Sequence, residues 1–237
     1  MKIAIIGYGK MGKEIEKIAI ERGHSISIAI DKNNTNLLES EAFLSSDVAI
    51  EFTQPEFAVN NYKQCFKNKI PVVSGTTGWL KEQSEIEQLC IKTDNTFFYA
   101  SNFSVGVNIF FELNKKLAQL MGSNPDYNVE MEEVHHTQKL DAPSGTAISL
   151  AEQIIERTSL KEKWSLSPEN NKELKISASR VDNVPGTHVV TYVSDVDELS
   201  IKHEAKSRKG FALGAVLAAE FVINKKGVLK MHDMLKF

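Results

Sequence analysis

Lys2-Ile3-Ala4-Ile5-Ile6-Gly7-Tyr8-Gly9-Lys10-Met11-Gly12 is the stretch on which the fold of this chain turns. Residues 2–6 form an apolar run of the length of a buried strand, and a Gly-x-Gly-x-x-Gly loop follows at once. Beyond the loop Met11, Ile15, Ile18 and Ala19 recur at helical spacing, Arg22 gives that stripe a polar end, and Gly23 stops the helix. Residues 25–30 then alternate, with Ile26, Ile28 and Ile30 on one face, and the run ends at Asp31. Strand, glycine turn, helix and strand make a βαβ unit of a parallel sheet. In such a loop the first glycine permits the tight turn, the second lets the backbone approach a pyrophosphate, and the third lets helix and strand pack closely. The helix start adds N–H groups and partial positive charge for the phosphates. Gly7, Gly9, Lys10, Met11 and Gly12 are therefore the expected phosphate-binding loop. Asp31 lies nineteen residues beyond Gly12, where a carboxylate binds the adenosine ribose. Asp31 favours NADH because a carboxylate repels a 2′-phosphate, whereas Lys32 beside it suits that phosphate, so NADH and NADPH both stay open. Lys32 reads equally well as a solvated turn residue.

Outward from this unit the alternation continues. Residues 48–52 read as a strand, Pro55 opens a helix reaching about residue 68, and Val72 and Val73 mark a short strand. Gly75-Thr76-Thr77-Gly78 precedes a helix over 80–92, and 96–100 is the next strand. Strict succession argues for a doubly wound α/β domain of Rossmann type over about the first hundred residues. The 31–47 connection is polar and short of pattern, so one element there is expected to be reduced. After Asn102 the character changes. A long helix over 106–121, a strand over 127–134 and a helix opening at Ser144 precede a polar stretch, 161–171, and three strand-like runs at 174–179, 188–193 and 199–203. Several strands with few helices between them predict a second, α+β domain with a mixed or antiparallel sheet. The apolar helix over 210–223 is placed back on the first domain. The expected division is 1–102 with 211–237, the dinucleotide-binding domain, and 103–210, the substrate-binding and oligomerisation domain.

Bulk properties narrow the function. The chain has 237 residues, 42% hydrophobic and 25% charged, with a net charge of −3. That balance gives no general attraction to nucleic acid or to an anionic membrane. No apolar run is long enough for a transmembrane helix, and the N-terminal apolar stretch is too short for a signal peptide. Cys65 and Cys90 are widely spaced in helix-like stretches and read as reduced packing residues. A cytoplasmic protein is expected.

The densest chemistry lies in Glu133-Val134-His135-His136-Thr137-Gln138-Lys139-Leu140-Asp141-Ala142-Pro143-Ser144-Gly145-Thr146-Ala147. Histidine exchanges protons near neutrality, and lysine is both a cation for a carboxylate and a proton donor. Backbone N–H groups at Gly145 and Thr146 make a second anion site at a helix start. Together these suit a small substrate with more than one carboxylate. No Glu-x-x-His or cysteine partner has the spacing of a zinc site, so no metal is expected. Asp141 and Ser144 read first as turn and cap residues.

Five pieces, in order, carry a resemblance: Gly7 to Gly12, Glu51-Phe52-Thr53, Gly75-Thr76-Thr77-Gly78, Ser101-Asn102-Phe103-Ser104-Val105-Gly106-Val107-Asn108, and residues 135–146. They span nearly the whole chain, and the last two are long and specific. The chain resembles the 4-hydroxy-tetrahydrodipicolinate reductase (dihydrodipicolinate reductase) family of the diaminopimelate route to lysine. The resemblance implies NAD(P)H-dependent reduction of 4-hydroxy-tetrahydrodipicolinate to tetrahydrodipicolinate with loss of water. It implies His135 as proton donor or acceptor, Lys139 as proton donor, and His136, Gly145 and Thr146 as ligands of a cyclic dicarboxylate. Gly75, Thr76 and Thr77 are implied beside the nicotinamide. Ala100, Ser101, Asn102 and Phe103 are implied as a hinge touching the coenzyme, and Arg208 and Phe211 as lying near it. A homotetramer assembled through the second domain's sheet is implied as well. Two departures stand out: the chain is short between Asp31 and Glu51, and residues 179–188 keep Gly186-Thr187-His188 while differing upstream. Two rival readings are a different NAD(P)-dependent oxidoreductase and a coenzyme-binding sensor without chemistry. The intact His135, Lys139 and Gly145-Thr146 cluster argues against both.

Overall fold

A computed structural model describes residues 1–207 and 209–237, and Arg208, implied near the coenzyme, lies outside the described residues. In chain order the elements begin β1 (Lys2–Ile6), α1 (Lys10–Glu21), β2 (Ser25–Ile30), α2 (Glu41–Leu44), β3 (Val48–Glu51), α3 (Pro55–Lys67), β4 (Val72–Ser74), α4 (Gln83–Lys92) and β5 (Thr96–Tyr99). They continue with α5 (Val105–Met121), β6 (Asn128–His135), α6 (Gly145–Arg157), β7 (Lys163–Ser165), β8 (Glu173–Arg180), β9 (Thr187–Val193) and β10 (Glu198–Glu204). The chain closes with α7 (Lys209–Val222), β11 (Gly227–Leu229) and α8 (Met231–Leu235). It divides into two units, Met1–Val105 with Lys209–Phe237, and Gly106–Arg208. The first crossing falls three residues later than the spacing suggests, because Phe103 packs its ring against Phe52 and Phe98, at centroid distances of 5.6 and 5.8 Å.

In the first unit six strands run in the order β11-β5-β4-β3-β1-β2, every pair parallel. Parallel strands are covered on both faces, so their sequences are nearly all apolar. Ile3 and Ile5 of β1 point to the side holding Ile15, Ile18, Ala215 and Val216, while Ala4 and Ile6 point to the side holding Tyr62, Cys65 and Ile86. The polar 31–47 connection holds only a short 3-10 turn (Thr35–Glu39) and α2, so the expected reduced element is real. The helix expected over 80–92 is a 3-10 turn (Leu80–Glu82) followed by α4. The helix expected over 210–223 is α7, which belongs to this unit, and β11 beyond it adds an edge strand against β5. Cys65 and Cys90 are free and buried, and burial pushes the Cys90 thiol up to about 11.

The second unit carries five strands in the order β10-β9-β6-β8-β7. β6 is antiparallel to β9 and parallel to β8, so the sheet is mixed. Val129 and Met131 of β6 pack with Phe110 and Ala118 of α5 and with Leu150 and Ile154 of α6. The same face of β6 continues as Glu133 and His135, both buried. A period-two strand thus passes from an apolar core at one end to a polar cluster at the other. Among the described residues no helix is long and apolar enough to cross a membrane.

Candidate active site

The glycine loop joins β1 to α1 in the first unit. A Cβ on Gly7 would lie 2.0 Å from the Phe52 carbonyl oxygen, and one on Gly12 would lie 2.3 Å from the Gly7 carbonyl oxygen. Packing alone therefore demands both glycines. Gly9 differs, since a Cβ there would meet nothing within 4 Å. Its space is open, as close approach of a pyrophosphate requires, so the loop fits a dinucleotide. The first turn of α1 contains no acidic residue that would repel phosphate. Lys10 and Met11 open α1, and the Gly7 N–H bonds the Ile30 carbonyl at 2.7 Å, which sets the loop beside the end of β2. Asp31 follows directly. Its Oδ1 accepts the Asn33 N–H at 2.7 Å and its own N–H bonds the Asn34 side chain at 2.7 Å, so the acid is held in a turn, with Lys32 exposed next to it.

Gly75, Thr76 and Thr77 leave β4 in the same unit. A Cβ on Gly75 would lie 2.2 Å from the Phe52 ring. Thr76 is buried, its hydroxyl 2.9 and 3.0 Å from the two Glu51 oxygens while accepting the Thr53 N–H at 2.7 Å. Thr77 is exposed. In the 100–103 segment the Ala100 N–H bonds the Ser74 carbonyl at 3.2 Å, Ser101 is exposed, Asn102 Oδ1 accepts the Ser104 N–H at 2.9 Å, and Phe103 is buried.

The second cluster is built on the end of β6 and the start of α6. Ser144 caps α6, its Oγ accepting the Ala147 N–H at 3.2 Å. Helix geometry leaves the N–H groups of Gly145 and Thr146 without intrahelical acceptors, and a Cβ on Gly145 would meet nothing within 4 Å. This is an open anion seat of the same kind as the one at Gly9. His136 borders a cavity of about 270 Å³ between residues 136–138 and 182–185. The Lys139 ammonium bonds both oxygens of Asp141 at 2.8 Å, which holds that carboxyl below its usual range. Asp141 is thus the partner of Lys139 as well as a turn residue.

His135 is 8% exposed, with Nδ1 3.3 Å from Glu133 Oε2. Glu133 also receives Arg180 at 3.2 and 3.3 Å and the Ser144 N–H at 3.1 Å, and its Oε2 lies 3.7 Å from His188 Nε2. Burial alone would push the Glu133 carboxyl up, but the facing His135 and His188 imidazoles and the Ser144 N–H outweigh it and hold it well below the ordinary range. Burial pushes His188 down, opposed by the facing Glu133 carboxylate. Glu133, Arg180 and His188 are absent from the residues expected to act. The alternation of β6 was the available signal for Glu133, which falls on the face of Val129 and Met131 where a charge needs a reason. His188 stands in the kept Gly186-Thr187-His188, but its tie to Ser144, 44 positions away, and that of Arg180 to Glu133, 47 positions away, had no local signal.

A parallel dinucleotide-type unit and a second unit with a buried histidine beside an open helix start define a pyridine-nucleotide oxidoreductase acting on a small acid. The comparisons make this particular. Residues 1–103 match the family described as dihydrodipicolinate reductase, N-terminus, and residues 106–235 match dihydrodipicolinate reductase, C-terminus. The chain is 52% identical to the 4-hydroxy-tetrahydrodipicolinate reductase of Christiangramia forsetii, over 99% of this chain and 98% of that one. It is 34% identical to the enzyme of the same name from Thermosipho africanus, over 100% of this chain and 98% of that one. In fold it is similar to a dipicolinate-bound dihydrodipicolinate reductase from Paenisporosarcina sp., with a TM-score of 0.76, 22% identity and 98% of each chain covered. The chain belongs to the dihydrodipicolinate reductase family. It is an NAD(P)H-dependent oxidoreductase of the diaminopimelate route to lysine, and its first unit is the dinucleotide-binding domain.

Proposed function

We propose that His135 and Lys139 manage the proton, and that His136 with the Gly145 and Thr146 N–H groups holds the carboxylates, in the reduction of 4-hydroxy-tetrahydrodipicolinate to tetrahydrodipicolinate, the ring hydroxyl leaving as water. The observation that carries this reading is the buried, carboxylate-braced His135 on the strand that leads into an open helix start. The coenzyme, when bound, supplies a hydride. Everything else falls to the chain. Hydride addition leaves negative charge beside the ring nitrogen, and a proton donor within hydrogen-bond reach relieves it. His135 is buried and braced for that task, while Lys139 brings a cation whose hold on Asp141 gives way to a substrate carboxylate. The Gly145 and Thr146 N–H groups supply a fixed dipole for an anion at no reorganisation cost. That a relative of the same fold is described as dipicolinate-bound agrees with a cyclic dicarboxylate. In the first unit, the loop 7–12 with Lys10 and Met11 takes the pyrophosphate, Asp31 and Lys32 meet the adenosine ribose, and 75–77 with 100–103 border the nicotinamide. The same reading places the protein in the cytoplasm, where two reduced cysteines persist, and as a homotetramer joined through the second unit's sheet.

Lys139→Ala is expected to lower turnover roughly a hundredfold or more, as loss of a general acid does. NADH affinity, read by fluorescence titration, should stay close to that of the parent. Parent-level turnover would remove Lys139 from the proton path.

A further inference from the structure

The Glu133 carboxyl is wholly buried, and its ligands come from four places: His135 on its own strand, Arg180 at the end of β8, His188 on β9 and Ser144 at the cap of α6. The reaction itself makes no demand for this carboxyl. A neutral imidazole has one donor and one acceptor nitrogen, and a carboxylate only accepts. Whichever His135 nitrogen faces Glu133 must therefore carry the proton, and that nitrogen is Nδ1, at 3.3 Å. At that distance the two atoms face each other without the alignment of a hydrogen bond, as catalytic groups often do before substrate arrives, and Nδ1 is buried with no other hydrogen-bond partner among the described residues. The other nitrogen, Nε2, faces Gly186, where an added Cβ would lie 2.9 Å from it. Glycine at 186 leaves Nε2 uncovered.

Arg180 lies on the far oxygen of the carboxylate and balances its charge, while the Ser144 N–H donates to both oxygens at 3.1 Å. Ser144 Oγ in turn meets His188 Nε2 at 3.0 Å. Glu133, His135 and His188 also bring three ligand atoms within 4.8 Å of one another, as a metal site would. The guanidinium on the same carboxylate and the N–H on both of its oxygens oppose a cation there, so the arrangement reads as a hydrogen-bonded brace.

We propose that Glu133 is a positioning residue: it faces Nδ1–H of the His135 imidazolium, so that Nε2–H is the proton given to substrate and the Nδ1–H tautomer is what remains, and through Ser144 it ties that histidine to the turn that seats the substrate carboxylate. The proposal rests on the reading of His135 as the proton-handling residue, and the test separates the two. Glu133→Gln and His135→Ala are made in the full chain and assayed with saturating NADH and freshly prepared substrate. Glu133→Gln should lower kcat by about tenfold or more, with the substrate KM within about threefold of the parent. Its kcat/KM profile should have the alkaline limb moved to lower pH, because the proton-donating imidazolium loses its facing carboxylate while His188 and Arg180 remain. Parent-level turnover in His135→Ala overturns the reading of His135 itself. Lost turnover in His135→Ala with a parent-like kcat and pH profile in Glu133→Gln overturns the positioning role alone. If Glu133→Gln does not fold, the parent protein still decides. Nitrogen-15 NMR of labelled histidine, with His135 assigned by its disappearance in His135→Ala, should show the proton on Nδ1 above the titration, and a proton on Nε2 overturns the proposal.

Discussion

Each unit buries one carboxyl completely, and the two keep different company. Glu133 has a guanidinium and two imidazoles. Glu51, at the end of β3, has neutral donors: Ser74 Oγ at 2.7 Å, Thr76 Oγ1 at 2.9 and 3.0 Å, Asn61 Nδ2 at 3.4 Å and the Thr53 hydroxyl. Thr76 belongs to the loop proposed beside the nicotinamide, so Glu51 holds the shape of that loop from beneath. Glu51→Gln turns one acceptor oxygen into a donor that faces hydroxyls already donating. It should cost about 1–3 kcal/mol of stability. It should also weaken NADH binding severalfold, read by fluorescence titration beside a thermal melt. An unchanged NADH affinity would show that the loop keeps its shape without the carboxyl. The limits of legibility are plain at this scale. His135, His136, Lys139, Gly145 and Thr146 stand in one short run, and the chemistry of their types is visible in order along the chain. Glu51 was visible as part of Glu51-Phe52-Thr53, but its role depends on hydroxyls 23 and 25 positions away, which no local pattern joins.

Among the elements, those with a period were legible and those without were not. Helix α6 was readable from Ala147, Leu150, Ala151 and Ile154, all buried, and from Ser144 at its cap. Strands β7 and β11, three residues each, and α8, five residues, are too short to show a repeat. They exist because neighbours offer them a place: β7 pairs with β8, and β11 with β5. The joint between β6 and α6 leads to a pH prediction. Burial, reinforced by the charge of His135, puts His188 below the ordinary histidine value against the pull of Glu133. Burial, with the charge of His188, lowers His203 in the same way. Glu133 is held low by its bonds in spite of burial. All three bind protons more weakly folded than unfolded, so the unfolded chain takes up more protons and stability rises with pH. Their contribution is complete above about pH 6.5, the unfolded histidine value, and is lost as pH falls through the folded values. The Tm should therefore hold between pH 7 and 8 and decline below about 6.5, with a further decline below about 4.3 as the carboxyl protonates. His188→Gln should shrink the upper decline and leave the lower one. Calorimetric scans over this range check it, and an unaltered upper decline would assign that proton uptake to other groups.

At the scale of the molecule, the first unit is built from both ends of the chain. Helix α7 packs Ala215, Val216 and Ala219 onto the core of β1 and β3, and Arg22 and His24 at the end of α1 meet Glu220 at 2.8 and 2.7 Å. The apolar run of α7 was legible, and so was its return to this unit, because a helix that is apolar nearly all round needs a core on most sides. Its depth was not legible. A Cβ on Gly214 would lie 1.7 Å from the Phe103 carbonyl oxygen, so helix and chain touch backbone to backbone. Phe103 packs on Phe52, and the Phe52 carbonyl is the wall against which Gly7 turns. A methyl group at 214 must lift α7 or push the 100–103 segment, and both routes lead to the glycine loop. Gly214→Ala gains helix propensity yet should lose about 1–3 kcal/mol by overpacking. In a chain of this size that corresponds to a fall in Tm of roughly 2–4 °C per kcal/mol. NADH affinity should fall with it, whereas Gly23→Ala, where an added Cβ meets nothing within 4 Å, should lower Tm through its positive φ without touching NADH affinity. Thermal melts and NADH titrations of the two variants side by side distinguish loss of stability in general from displacement passed along Gly214, Phe103, Phe52 and Gly7. Equal NADH affinities in the two would show that the path ends before it reaches the loop.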